Sequence, residues 1–364
     1  MKKILHVSYS MDTGGGPLTI KRIVEDFREY EYFVSGNPGV YMEHFKKILP
    51  ASHILGLKGP NLFFNLWLLI TFCRRNSIDI LHVHGRGAAS FARFVKIFRP
   101  KTKVVYTPNG FFPKSLPFLI RQLYVLGERV LFLLTDLVFF VSRSEQATFA
   151  RSLWLKNQNK KFIYIQNYIN EDLLKEKPML PFEHMTDRSP KFLFIGRLSM
   201  QKGVDILIES LKIFDDAFHL TVIGYGEMED YLRGEIKNDF AHSIDFKGKV
   251  NEAFRYMPNF DALLLPSRFE GLPFTVLEAM LYRLPLIVTP CNGTIDLMGE
   301  GNGYVSESID AVSFAKAVSN FCRDFKHDKN RIQEMISRNF QIVRTEYSMN
   351  AVKEKINYLY SLDH

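Results

Sequence analysis

Cysteine is scarce: Cys73, Cys291 and Cys322 are the three in 364 residues. They cannot all pair and show no metal-ligand spacing, which excludes a disulfide framework and fits a reducing cytosol. Long hydrophobic runs are also missing. The longest, residues 62–73, is interrupted by Asn65 and falls short of the roughly 18 residues that a spanning helix needs. No transmembrane segment is therefore expected. Met1-Lys2-Lys3 is a basic start, but no long apolar region or small-residue cleavage site follows, so the segment reads as the way into a first strand. No internal repeat at a short period and no low-complexity tract is visible.

What is present is length and an uneven charge. At 364 residues the chain is too long for one ordinary core, and two domains of roughly 150 to 200 residues are expected. A hydrophobic content of 46% and a charged content of 24% are those of a globular protein in water. Residues 1–170 hold 24 Lys plus Arg against 10 Asp plus Glu, a net of +14, whereas the remainder holds 23 against 29, a net of −6. A basic half beside an acidic half points to a first domain that meets something anionic: a phospholipid surface, a diphosphate-linked lipid or nucleic acid. Solubilising surface charge is the plainer alternative.

Short apolar runs at 4–7, 32–34, 78–83, 103–107, 137–141 and 162–165 alternate with helical spacing at 18–27, 61–75, 88–98 and 142–153. That alternation predicts an α/β fold with a parallel sheet covered on both faces. Thr13-Gly14-Gly15-Gly16-Pro17 follows the first strand and opens the first helix. Its glycines let backbone amides approach a ligand, and an anion or sugar hydroxyl is stabilised at such a helix N-terminus. A flexible turn is the alternative. The third glycine comes too early for the Gly-x-Gly-x-x-Gly dinucleotide fingerprint, which counts against an oxidoreductase. His82 and His84 share one face of their strand, either as metal ligands or as hydrogen-bonded core or cleft-edge histidines, with no carboxylate or Cys at a supporting spacing. Residues 114–134 are strongly apolar with scattered basic residues; a mostly packed helix is expected, with Lys114, Arg121 and their apolar neighbours available to lipid. Residues 171–190, with Pro178, Pro181 and Pro190, read as a linker.

In the second half, Gly196-Arg197-Leu198 to Lys202-Gly203 lies between an apolar run and a helical pattern of Val204, Leu207, Ile208 and Leu211. Arg197 and Lys202 thus fall at a helix N-terminus, where two cations suit a diphosphate. Gly224 and Gly226 form a second strand-glycine-helix turn, and Cys291-Asn292-Gly293-Thr294 reads as a turn into a helix. Between these, Glu270 follows a buried apolar run that Pro266 ends, and Glu278 lies in the next helix. In open α/β sheets the crevice beyond the strands' carboxyl ends binds ligands. Two ionised carboxylates there only accept hydrogen bonds, which suits ribose and sugar hydroxyls. An ordinary solvated helix face with a dipole-favoured Glu is the alternative.

The Glu270-x7-Glu278 pair and its neighbours resemble the signature of retaining, nucleotide-sugar-dependent glycosyltransferases of family 4 (glycosyl transferases group 1). Matches to Gly196-Arg197-Leu198-x-x-x-Lys202-Gly203 and to Gly224-x-Gly226 extend the likeness. The resemblance implies an α/β GT-B fold of two Rossmann-like doubly wound domains facing across a cleft. It divides the chain into an acceptor-binding domain (1–170), a linker (171–190), a nucleotide-sugar domain (191–347) and a C-terminal helix crossing back to the first domain (348–364).

Implied roles follow residue by residue. Glu278 holds the ribose, Glu270 lies against the donor sugar, and the amides of Gly271, Leu272, Pro273 and Phe274 cradle sugar and diphosphate, as far as Pro273's missing N–H allows. Arg197 and Lys202 take up the leaving diphosphate, Gly15, Gly16, Gly196 and Gly224 border the donor, and Lys249 and Val250 end a loop that contacts the base. His84, Arg86, Lys114 and Arg121 are expected to meet the acceptor or a membrane. Asn109, in Thr107-Pro108-Asn109-Gly110, stands where many relatives carry a histidine; it offers hydrogen bonds but gains no proton at neutral pH. No Asp-x-Asp occurs, so no metal is expected, and the nucleoside diphosphate sugar, UDP-linked in the favoured case, enters as co-substrate without a cofactor. The expected partners are that donor and a saccharide acceptor linked to a lipid diphosphate, with peripheral contact to the inner face of the cytoplasmic membrane and no nucleic acid. A nucleotide-sugar epimerase or a non-catalytic donor-binding subunit is the alternative.

Overall fold

Apolar runs of three to eight residues become the interior strands of two sheets. The structure, a computed structural model, describes residues 1–12, 14–111, 117–156, 159–169, 189–239, 244–299 and 301–361. The expected linker lies outside them apart from its last two residues, and Lys114 lies outside them as well. The chain divides into two compact units, Met1–Asn167 with Val352–His364, and Tyr168–Ala351.

Unit 1 contains strands β1 (Lys3–Ser10), β2 (Glu31–Asn37), β3 (Ile54–Gly56), β4 (Ile80–His84), β5 (Lys103–Thr107), β6 (Leu137–Phe140) and β7 (Phe162–Tyr164). All pair in parallel, in the order β3-β2-β1-β4-β5-β6-β7. Its helices are α1 (Gly15–Asp26), α2 (Val40–Ile48), α3 (Leu62–Arg75), α4 (Gly85–Ala92), α5 (Val95–Phe98), α6 (Phe118–Leu133) and α7 (Arg143–Leu153). The expected helix at 88–98 begins earlier and is broken at Arg93 and Phe94, where the buried Arg93 side chain turns to Glu128 at 2.8 and 2.9 Å. α6 corrects a second expectation. Glu128, Leu131 and Phe132 are its buried residues, and most of its outer surface is open to solvent. The helix is apolar on opposite faces, so the sheet can cover one of them alone.

Unit 2 contains β8 (Lys191–Ile195), β9 (His219–Ile223), β10 (Ile244–Gly248), β11 (Ala262–Leu265), β12 (Leu286–Val288) and β13 (Tyr304–Val305). They too are parallel, in the order β10-β9-β8-β11-β12-β13. α8 (Val204–Ile213), α9 (Glu229–Asp239), α10 (Phe274–Leu281), α11 (Ala311–His327) and α12 (Lys329–Glu346) accompany them, and α13 (Met349–Ser361) follows. Asp310 and Asp328 start α11 and α12 by accepting from the amides of Ser313 and Arg331. The loop expected to end at Lys249 and Val250 is short, because residues 246–248 close β10. The turn at Gly293 does not lead into a helix: irregular turns run to Met298, because Gly293 has a φ of 78° and glycines recur at 299, 301 and 303.

Both sheets reverse their order once, between β1 and β4 in unit 1 and between β8 and β11 in unit 2. The crevice beyond the carboxyl ends of such a strand pair is where an open α/β sheet takes its ligand.

Candidate active site

In unit 2 the loop from β8 to α8 meets the loop from β11 to α10. Gly203 caps α8 at φ 68°, and a Cβ there would collide with the carbonyl of Pro266; only glycine permits that approach. The two loops are tied by Arg268 N–H donating to Gln201 O at 2.8 Å and by Gln201 Nε2 donating to Phe269 O at 3.1 Å. Arg268 also grips Asp205 through both terminal nitrogens at 2.7 and 2.5 Å. Burial works to raise the Asp205 carboxyl, but this pair outweighs it and holds the group below the usual range.

That scaffold brings Lys202 and Glu270 together. Lys202 Nζ lies 2.5 Å from Glu270 Oε1, and Ser267 Oγ donates to the same oxygen at 2.6 Å. Glu270 is buried and its amide donates to Asn292 O at 3.2 Å. Gly293, one residue on, passes so close to Gly271 that a Cβ would strike the Gly271 carbonyl. Cys291 completes this wall. Burial, with the Glu270 charge adding to it, pushes its thiol up to about 12, so it is a neutral apolar group here.

Glu278 is buried within α10, five residues after the Pro273 that precedes the helix. Leu272, Pro273 and Phe274 are buried at the start of α10 and Gly271 is partly exposed. Arg197 is exposed on the loop after β8. Gly196 and Gly224 meet closely, since a Cβ on Gly224 would run into the Gly196 carbonyl. Lys249 is exposed beyond β10 with its ammonium 4.6 Å from the Tyr225 ring centre, and Val250 follows it.

Unit 1 gathers a second polar cluster at the ends of β1, β4 and β5. Register places His6 opposite His82 and Ser8 opposite His84, so the three imidazoles share one face. His6 Nδ1 and His84 Nε2 are 2.9 Å apart; His82 is held between the Tyr360 hydroxyl and Thr107 Oγ1, both at 2.8 Å. Burial lowers all three, His6 to about 3, and the neighbouring imidazoles add to it for His82 and His84. They are neutral at pH 7. Their nitrogens lie within 4.8 Å of one another, a grouping that could receive a divalent ion if His82 released a hydroxyl. Pattern reading found two of the three, because His6 sits on another strand.

Gly16 lies among His84, Ser8 and Asn109: a Cβ on it would be 3.4 Å from Asn109 Nδ2 and 3.7 Å from the other two side chains. Gly15, beside it, has open space at that position. Asn109 adopts a left-handed φ of 55°, a conformation in which Asn, Asp and His are enriched. Glu145 fixes that turn by accepting from the amides of Gly110 and Phe111 at 2.5 and 2.8 Å. Asn109 Nδ2 and His84 Nδ1 are buried without a partner among the described atoms. Such groups are costly unless a ligand or water meets them. Arg86 lies in the first turn of α4 over Tyr124, and Arg121 lies on α6 over Phe118.

Known proteins share this pattern. Residues 189–324 match the family described as glycosyl transferases group 1, and residues 29–173 match glycosyltransferase family 4. The chain belongs to the group 1, family 4 glycosyltransferases. Its fold is GT-B, built from two Rossmann-like α/β units. The O-antigen biosynthesis glycosyltransferase WbnH of Escherichia coli is 25% identical over 311 residues, 85% of this chain and 87% of the relative. The N,N'-diacetylbacillosaminyl-diphospho-undecaprenol alpha-1,3-N-acetylgalactosaminyltransferase of Campylobacter jejuni is 25% identical over 261 residues, 66% of each chain. Among solved structures, Anabaena HepE in complex with UDP and glucose aligns over all of both chains with a TM-score of 0.83 at 18% identity. In this family 4 chain, pattern reading singled out Lys202, Glu270 and Gly16, which lie in the two clusters described above. It passed over Ser267, which bonds Glu270 within its own loop, and over Arg268 and Asp205, which meet from 63 residues apart.

Proposed function

We propose that the protein is a retaining, metal-independent hexosyltransferase that moves a sugar from a nucleoside diphosphate, UDP in the favoured case, to a saccharide acceptor on a lipid diphosphate during surface polysaccharide synthesis. The observation that carries this reading is the Lys202–Glu270–Ser267 set at the β8/β11 reversal, beside the start of α10. A fixed ammonium and a helix N-terminus stabilise negative charge as a diphosphate departs. Arg197 adds an exposed guanidinium on the same loop, Glu278 takes the ribose, and Glu270 with the 271–274 backbone orients the sugar. His84 and Asn109 of unit 1 offer their partnerless nitrogens to substrate hydroxyls. The relatives' names support the activity, and that of the Campylobacter jejuni enzyme supports a saccharide acceptor on a lipid diphosphate.

Titration with UDP-glucose, UDP-N-acetylglucosamine and other nucleotide sugars, read by thermal shift, tests the donor. One of them at a hundred times its Kd raises stability by about 2.7 kcal/mol. Turnover unchanged by EDTA and a product that keeps the donor's anomeric configuration are expected; restoration of lost turnover by magnesium or manganese overturns metal independence. Asn109 in place of an imidazole favours one other reading, a donor-binding subunit without turnover. Donor binding with no transfer to any lipid-linked acceptor would support it.

A further inference from the structure

α6 presents an unusual surface. Leu119, Leu123, Leu126, Val130 and Leu133 are between 51% and 78% exposed, and at 100° per residue they fall within an arc of roughly 80°. They form one continuous stripe roughly 21 Å long. The opposite side carries Glu128, Leu131 and Phe132, which are buried. Phe118 and Ile120 extend the apolar surface at the N-terminal end, at 64% and 55% exposure. Trp154, 83% exposed just after α7, lies against the helix, its ring 3.6 Å from the Arg129 guanidinium. A stripe this regular exceeds the scattered apolar residues of an ordinary surface and marks an interaction site.

We propose that the outer face of α6, with Trp154 beside it, is a membrane-docking surface that seats unit 1 in the interfacial layer of an anionic phospholipid bilayer. The surface deepens the reading above, which calls for an acceptor at a membrane, but it stands on its own geometry. Charge selects the occupant. Residues 86–161 hold fourteen Lys and Arg against Glu128, Asp136 and Glu145. Each of those carboxylates is engaged inside the unit: Glu128 by Arg93, Asp136 by Lys96 and the Val104 amide at 2.7 Å, and Glu145 by the Gly110 and Phe111 amides. The segment that carries the stripe is thus strongly cationic, with no outward acid on α6 to repel phosphate headgroups. Leucines enter the acyl boundary and Trp154 sits at headgroup depth over the buried Arg129 guanidinium. A second copy of the chain is a poorer fit, because an isologous contact would set the same cations against each other.

The test is flotation of the full chain with vesicles of phosphatidylethanolamine and phosphatidylglycerol, compared with vesicles of phosphatidylcholine alone. Binding to the anionic vesicles is expected, weaker binding to the neutral ones, and partial release at about 0.5 M salt, where the screening length is a few ångströms. The double variant Leu123→Glu, Leu126→Glu should partition at least roughly tenfold less well. Both side chains are exposed, so its melting temperature and its response to UDP-glucose should match the parent. With Trp67→Phe as background, Trp154 emission should shift to the blue on anionic vesicles. Failure of the parent to bind, or equal binding by the variant, overturns the proposal. So does a parent dimer that the variant converts to monomer, which would assign the face to a second copy. Vesicle binding by a chain that accepts no nucleotide sugar would leave this surface standing and overturn the proposed function; transfer to a soluble acceptor by a chain that ignores vesicles would do the reverse.

Discussion

Lys202 and Glu270 share one short contact with side-chain exposures of 17% and 8%, so neither charge has water as an adequate substitute for the other. Lys202→Met should lower kcat by about 10² to 10³ if the ammonium stabilises the leaving diphosphate. It should also lower the melting temperature, because a buried carboxylate loses its cation. Lys202→Arg should recover part of both. The pair of readouts matters: a purely structural lysine would change stability and leave kcat nearly intact in the surviving folded enzyme. Both residue types were legible in the sequence, each at the start of a helical pattern. Their pairing was not, because it depends on two loops drawn together by Gly203 and by the Arg268–Asp205 clamp. Asn109 shows the same limit. Its position was visible, but its left-handed φ and its proximity to His84 through Gly16 come from the turn that Glu145 holds.

At the scale of elements, strands were legible because parallel interior strands are continuous apolar runs; the six expected in unit 1 all lie within or beside observed ones. β3 escaped notice, being three residues long and only partly buried. α2 escaped because its nine residues bury Met42 and Phe45 alone. α6 was found, but its packing was misjudged, since apolar content cannot tell an inward face from an outward one. Its inward face is anchored by Arg93 and Glu128, a fully buried pair, and Arg93 also stacks over Tyr106 at 4.3 Å. Burial pushes the Glu128 carboxyl up and Arg93 opposes it. Arg93→Met would leave that carboxylate without its cation, at a cost of about 3 to 5 kcal/mol, measured by urea denaturation; Glu128→Gln should cost less. The β1/β4 histidines set a pH response of the same sign as acid loss from carboxylate pairs, but in a higher pH range. Each is held neutral in the fold, with a pKa below the ordinary 6.5. The unfolded chain therefore binds more protons below pH 6.5, and stability falls as pH drops through that value. The slope is up to roughly 1.4 kcal/mol per pH unit for each histidine. Melting temperatures between pH 7.5 and 5 should show this decline, and His6→Gln should flatten it.

For the whole molecule, the informative fact is that the chain's last helix completes its first unit. Val352, Ile356, Leu359 and Tyr360 of α13 are buried, and the segment from Val352 belongs to unit 1 with Met1–Asn167. Tyr360 packs edge-on against Tyr30 and bonds His82, Lys355 reaches Gln166 at 3.1 Å, and Lys2 reaches the Ser361 carbonyl at 2.9 Å. Fully burying one such large apolar side chain contributes about 1.5 to 3 kcal/mol. The four together therefore rival the roughly 5 to 15 kcal/mol that holds a whole domain. Ending the chain at Ser348 should accordingly unfold unit 1 or leave it molten, while unit 2, whose core lies within 192–336, keeps its own transition. Hydrogen exchange resolves the two: amides of β1 and β4 should lose protection in the truncated chain and those of β8 and β11 should retain it. Tyr360→Phe isolates one contact, leaving His82 Nδ1 without its hydroxyl at a cost of about 1 to 3 kcal/mol. Equal protection of β1 in full and truncated chains would mean that the first unit folds without its C-terminal helix, and that the burial of these four side chains is incidental to it.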